Sequence, residues 1–211
     1  MNVQRQDHAA IAALVRPQDR VLDVGCGTGE LMALLQGERQ AHPRGLELRA
    51  EGVQACMAQG LSAVQGDADR DLSAYPDNAF DVAIISKTLQ EMRRPRDVLA
   101  ELCRIAPRVL ISFRNYGYWR MRLAMLLTGR VPTRAGRPWY SADTLHICSL
   151  ADMAELCSAL DLEVEALITL HQGQVTAEAR GVTPWHVWAG EEAILAVRRK
   201  TKARAGGQHG T

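Results

Sequence analysis

The sequence lacks an excess of either charge: 25 lysines and arginines stand against 24 aspartates and glutamates over 211 residues. A chain so balanced has no overall electrostatic footprint for nucleic acid or for a membrane surface, so either partner would need a local patch. It has no apolar run approaching the length of a membrane span, and its N-terminal MNVQRQDHAA has no basic stretch leading into an apolar one. The five cysteines, Cys26, Cys56, Cys103, Cys148 and Cys157, are odd in number and form no C-x-x-C pair. That leaves zinc-ligand spacing and a disulfide framework without support, and buried thiols in a cytoplasmic protein are the expectation. Neither a G-x-S-x-G elbow nor a phosphate loop ending in Gly-Lys-Ser/Thr occurs.

What the sequence does have is RVLDVGCGTGELMALL at residues 20–35, a buried-strand pattern running through three glycines into an apolar helix start. Such a turn points bare backbone N–H groups at a ligand on a helix N-terminus. A glycine turn that only joined strand to helix would be costly in chain entropy. A dinucleotide fingerprint, G-x-G-x-x-G, needs its third glycine where Glu30 stands, and a carboxylate there repels a pyrophosphate. The pattern present, D-x-G-x-G-x-G over Asp23, Gly25, Gly27 and Gly29, resembles motif I of the Rossmann-like S-adenosylmethionine methyltransferases. That cofactor has no phosphate, and its ammonium and sulfonium favour nearby carboxylates such as Asp23. Cys26 lies inside the loop and joins Asp23, Gly25 and Gly27 as an expected contact.

Further along, Arg44 to Leu48 reads as a second strand, and Glu47 lies 18 residues beyond Gly29. An acid at that strand end can accept both ribose hydroxyls of a nucleoside, with Leu48 beside it. A third short strand, Leu61 to Gln65, opens into Gly66-Asp67-Ala68. The resemblance implies that Asp67 takes the adenine amino group and the Ala68 N–H a ring nitrogen; Asp69 and Asp71 crowd the same loop, so spacing alone does not choose among the three acids. Phe80 to Ser86 is a continuous apolar run, as in a strand covered on both faces, and delivers Ser86 and Lys87 to the carboxyl edge. Ser86 is expected to offer a backbone contact near the cofactor, and Lys87 either binds a substrate carboxylate or is solvated.

Helices are expected over about 3–15, from Gly29 to Gln36 with Gly37 as the stop, over 50–59, from Pro95 past Ile105, and from Leu150 onward behind a Ser149/Asp152 cap. Further strands are expected at Arg108–Phe113, Leu162–Ile168 and Ala193–Val197, with a loop of about twenty residues before the last. Seven strands with helices between most of them make a doubly wound, mostly parallel α/β sheet with helices on both faces. One domain is expected over 1–197, interrupted by a basic aromatic insertion at about 114–147, with 198–211 as a polar tail.

Several strings are specific beyond the cofactor motifs: RGLEL with GVQACMAQGLSAVQGD, FDVAIISKTLQEMRRP, SFRNYGYWRMRLAMLLTGR and LHICSLADMAELC. With the glycine string they resemble the methionine-biosynthesis MetW family over roughly residues 20 to 160. That resemblance implies a strand order of 3-2-1-4-5-7-6 with the seventh strand antiparallel, and work in methionine biosynthesis beside a homoserine O-acyltransferase. Two departures stand out: the family often has glutamine at the Lys87 position, and only Trp139-Tyr140 remains of an aromatic segment ahead of the histidine. Two functions stay open, methyl transfer to a small-molecule acceptor and a non-catalytic partner subunit. In-line displacement at a sulfonium needs alignment more than a base, and no catalytic residue is assigned; His146 is either a base or a packed histidine. Six of the chain's ten aromatic residues fall between Phe113 and Tyr140, and the insertion carries arginines with no acid before Asp143. Tyr116, Trp119, Leu123 and Leu126 share a helical face expected to pack on the sheet, making the segment a lid or a partner surface.

Overall fold

The computed structural model describes residues 3–130 and 146–200. The apolar run predicted at 80–86 becomes β4 (Val82–Ser86), whose alternation sends side chains to two separate cores. Ala83 and Ile85 join one with Leu22, Leu99 and Leu102, while Val82 and Ile84 join the other with Ile11, Leu31 and Leu35. Burial on both faces is why this strand reads as an unbroken hydrophobic stretch.

Around it, β1 (Arg20–Val24), β2 (His42–Glu47), β3 (Ser62–Gln65) and β5 (Arg108–Arg114) run parallel to β4. α2 (Glu30–Arg39), α3 (Ala50–Ala58), the one-turn α4 (Ala68–Asp71) and α5 (Pro95–Ile105) make the crossovers, and α1 (Val3–Leu14) packs on α2. After β5 come α6 (Trp119–Thr128), α7 (Leu150–Ala159), β6 (Leu162–His171), β7 (Gln174–Ala179), α8 (Pro184–Ala189) and β8 (Glu192–Arg199). They complete one eight-stranded sheet in the order β3-β2-β1-β4-β5-β8-β6-β7, with β8 antiparallel to both β5 and β6. The chain works outward from β1 to β3 and returns beside β1 as β4, so the switch point lies between these two strands. In open α/β sheets that is where a ligand crevice forms.

The doubly wound class and the antiparallel last strand agree with expectation, as does the α7 cap, where Ser149 Oγ accepts from Asp152 N and Asp152 Oδ2 from Ser149 N. Besides α8, which stands inside the expected loop before the last strand, four details differ. The sheet has eight strands rather than seven, because Gln172 and Gly173, at φ 50° and 75°, form a tight left-handed turn that folds Gln174–Ala179 back on β6. Gly37 does not stop α2; the helix continues to Arg39 and closes at Gln40, φ 52°. β8 extends through Arg199, paired with Leu162, so residues 198 and 199 of the expected tail are strand, and 201–211 lie outside the described residues. Finally, α6 buries none of its side chains: Trp119, Leu123 and Leu126 are exposed and only Tyr116, ahead of the helix, is inside. Among the described residues no helix is long and apolar enough to cross a membrane.

Candidate functional site

The glycine loop connects β1 to α2 with Gly25, Gly27 and Gly29 at φ 74°, 56° and 85°. Gly25 N donates to Leu46 O at 2.7 Å and Gly29 N to Cys26 O at 2.9 Å, which fixes the turn against β2. A Cβ on Gly25 would come within 2.6 Å of the Thr88 side chain, and one on Gly29 within 2.7 Å of Leu61, whereas Gly27 has nothing within 4 Å. Gly27→Ala should therefore cost only the left-handed backbone penalty, about 1–2 kcal/mol. Gly25→Ala adds a clash with a packed side chain and should cost about 2–5 kcal/mol in all. Urea unfolding of the two variants checks the difference, and equal losses would mean that Thr88 does not brace the loop.

Two acids flank this turn. Glu47, buried at the end of β2, accepts from Gly27 N at 2.9 Å through one oxygen and from Arg49 N at 3.0 Å through the other. The carboxylate thus ties loop to strand while keeping lone pairs for further donors. Asp23 is 2% exposed, and burial, helped by the nearby Glu47 charge, pushes its carboxyl up to about 7. Leu48, next in the chain, is 62% exposed, and its carbonyl accepts from Gln65 Nε2. Cys26 turns its thiol inward among Met32, Cys56 and Leu61, with Cys26 Sγ 3.9 Å from Cys56 Sγ, so toward a ligand only its backbone is left. Both thiols are driven upward by burial and are poor nucleophiles.

Across the edge, the three acids left open by the sequence separate by their partners. Asp69 accepts the Arg93 and Arg94 amides, both at 2.9 Å, and Asp71 accepts Asp67 N at 2.7 Å. Asp67 uses one oxygen to cap Asp69 N, and its other stands 3.7 Å from the exposed Arg70. These bonds occupy both oxygens of Asp69, whereas Asp67, half-buried beside the buried Ala68, and the exposed Asp71 each accept one backbone N–H.

The side of the edge beyond β4 departs from expectation. Lys87 neither waits for a carboxylate nor is solvated: in a left-handed conformation, φ 54°, it bridges Asp7 at 3.1 Å and Glu192 at 3.0 Å. Burial pulls its ammonium down, but the two acids carry it above the ordinary lysine value. This bridge pins α1 to the start of β8. Ser86 has its hydroxyl against Ser112 Oγ at 3.0 Å and its carbonyl on Thr88 Oγ1 at 2.7 Å. His146 is held by its backbone, N to Gln90 O at 2.7 Å, with its ring exposed rather than packed. Arg134, Arg137, Trp139 and Tyr140 of the insertion lie outside the described residues.

Sequence reasoning missed two buried amides that the specific strings contain. Gln90, the last residue of S-K-T-L-Q, accepts from Arg114 N and donates toward Arg114 O, His146 O and Cys148 Sγ. Asn115 donates to Val187 O and Gly190 O and accepts from Gly117 N and Leu150 N, all within 2.8–3.0 Å. Neither is catalytic equipment; each clamps the end of β5 to segments far away in sequence. Among the described residues no cluster of histidine, cysteine or acid could hold a metal.

A family model described as methionine biosynthesis protein MetW matches residues 5–197. A bifunctional methionine biosynthesis protein MetXA/MetW of Rhodopirellula baltica is 28% identical over 182 residues, 80% of this chain; the chain spans only 29% of that relative. Among solved structures, a Thermotoga maritima S-adenosylmethionine-dependent methyltransferase superposes with TM-score 0.69 at 17% identity, covering 94% of this chain and 92% of that one. The [4+2]-cyclase SpnF superposes with TM-score 0.64 at 21% identity, covering 95% and 82%. At such identities the likeness shows the fold, and the two neighbours differ in the chemistry their names state.

Proposed function

The chain belongs to the MetW family of methionine biosynthesis proteins, and on that premise we propose that it binds S-adenosylmethionine at the carboxyl edge of β1–β4 and transfers the methyl group to a small molecule. One observation carries the cofactor reading: a buried Asp23, a Glu47 already hydrogen-bonded to the loop, and the half-buried Asp67 all line one sheet edge around a glycine turn. Asp23 would face the cationic end, Glu47 the ribose, and Asp67 with the Ala68 N–H the base; Gly25, Cys26, Gly27 and Ser86 would offer backbone, and Leu48 an apolar surface. The cofactor supplies an electrophilic methyl on a sulfonium, so the chain's task is alignment and exclusion of water. Lys87, internally neutralised, anchors α1 over this edge instead of meeting the acceptor.

A second reading, a partner subunit of a homoserine O-acyltransferase without turnover, is favoured by the relative that joins MetXA and MetW in one polypeptide. Incubating the purified chain with methyl-labelled S-adenosylmethionine and the low-molecular-weight fraction of a cell extract, with and without the acyltransferase, separates the two. Label transferred by the chain alone supports turnover. Absence of transfer under both conditions removes the methyltransferase reading.

Asp23 also gives binding a pH dependence. Its folded pKa, about 7, exceeds the unfolded 3.8, so the native state holds the extra proton between these values. Its contribution to stability therefore falls as pH rises from 3.8 to 7. A cation favours the ionised form, so S-adenosylmethionine should bind more tightly as pH rises through 7 and release protons on binding below it. Calorimetry at pH 6 and pH 8 reads this, with an expected gain of about tenfold. Affinity independent of pH, with no proton release, would take Asp23 out of the site.

A further inference from the structure

The described tryptophans are all on the surface: Trp119, Trp185 and Trp188 are 47%, 73% and 43% exposed. They belong to α6 and α8 and, with Thr176 of β7, line a cleft of about 430 Å³. Leu126 and Leu127, 80% and 75% exposed, extend the apolar surface along α6. Contiguous exposed aromatic surface of this kind is unusual for a monomer and marks interaction sites. β8 begins opposite Arg114, the carboxyl end of β5, so α8, which feeds into β8, lies on the same edge of the sheet as the glycine loop.

The platform is built to stay rigid. Asn115 fixes Val187 and Gly190 at the end of α8 and Leu150 at the start of α7. The Arg122 guanidinium stacks 4.3 Å over the Trp188 ring and donates to Gly117 O at 2.8 Å. Aromatic side chains held this way lose little entropy on docking, and tryptophan with arginine is the pairing enriched at interface hot spots. Between Arg114 and Arg130 there are four arginines and no acid, in a chain whose net charge is only +1. The α6 side of the rim is therefore cationic, while β7 adds the exposed Glu178, two residues from Thr176.

We propose that this tryptophan surface of α6, β7 and α8 is the docking site for the homoserine O-acyltransferase, which meets it with an apolar patch rimmed by acidic side chains. The inference rests on the partner reading above. Fusion of the two proteins in the relative gives them fixed stoichiometry and high effective concentration, the arrangement that a surface contact between separate chains would gain from. A second copy of this chain that set α6 against α6 about a two-fold axis would bring one arginine cluster against another.

The test uses the purified full chain and the homoserine O-acyltransferase of the same genome, with affinity from calorimetry at physiological salt. Trp185→Glu and Arg120→Glu alter exposed side chains on two different helices, and Met57→Glu on α3 is the control, its side chain exposed far from the tryptophans. A complex with the parent chain and the Met57 variant, weakened at least tenfold by each of the other two, is the expected result. S-adenosylhomocysteine binding, measured on every variant, verifies the fold. A complex unaffected by Trp185→Glu and Arg120→Glu overturns the surface and leaves the partner reading intact. No complex with the parent chain overturns both. Self-association of the parent chain, lost in Trp185→Glu, assigns the surface to a second copy and also overturns the proposal.

Discussion

Glu47→Ala will lower the affinity for S-adenosylhomocysteine by roughly ten- to a hundredfold, or about 1.5–3 kcal/mol. The carboxylate has two tasks at once. It would accept the ribose hydroxyls in charge-assisted hydrogen bonds, and it holds Gly27 N at 2.9 Å and Arg49 N at 3.0 Å. Truncation thus removes a ligand contact and loosens the turn that presents the others. Glu47→Gln separates the tasks, since the amide oxygen keeps an acceptor for Gly27 while the charge is lost, and it should fall between the parent and the alanine variant. Equilibrium dialysis with labelled ligand is the check; an alanine variant that binds as the parent does would place the ribose elsewhere.

Asn115→Ala will destabilise the fold by about 3–5 kcal/mol, because four hydrogen bonds to buried backbone groups vanish together and the freed groups find no water. Asn115 is fully buried, with partners in the loop after β5, at the start of α7 and at the end of α8. Urea unfolding measures the loss. Ligand binding should persist wherever the variant is still folded, since β1 and β2 hold the glycine loop independently of α8. A loss below about 1 kcal/mol would mean that water takes the place of the amide and that the hub is not what organises this part of the edge.

The glycine-loop half of the edge was readable because its signal is local. Asp23, the three glycines and Glu47 sit at offsets set by one strand, one turn and one crossover, and the structure places all of them on that edge. Asp67 needed more: the tertiary bonds to Arg93 and Arg94 set Asp69 aside, and the choice of Asp67 over Asp71 rests on the resemblance. Lys87 was not readable, since its partners Asp7 and Glu192 come from opposite ends of the chain. β7 stayed hidden because an exposed edge strand, QVTAEA, carries no buried face to impose a period of two, and its turn uses Gln172 where asparagine or aspartate would have signalled a hairpin. α8 was concealed for a related reason: its capping box pairs Thr183 with His186 rather than with a glutamate. On α6 the expected apolar face did not form: the helix begins only at Trp119, its apolar and polar residues are spread around it, and none of them meets either core.

The central claim, a nucleoside cofactor held at the carboxyl edge of β1–β4, is tested most directly by titrating S-adenosylhomocysteine into the purified chain in a calorimeter, with NAD as the comparison ligand. Saturable binding of one S-adenosylhomocysteine per chain, and no heat from NAD at the same concentration, is the expected result. Absence of binding by S-adenosylhomocysteine, or tighter binding by NAD despite Glu30 and Asp23, would contradict the account.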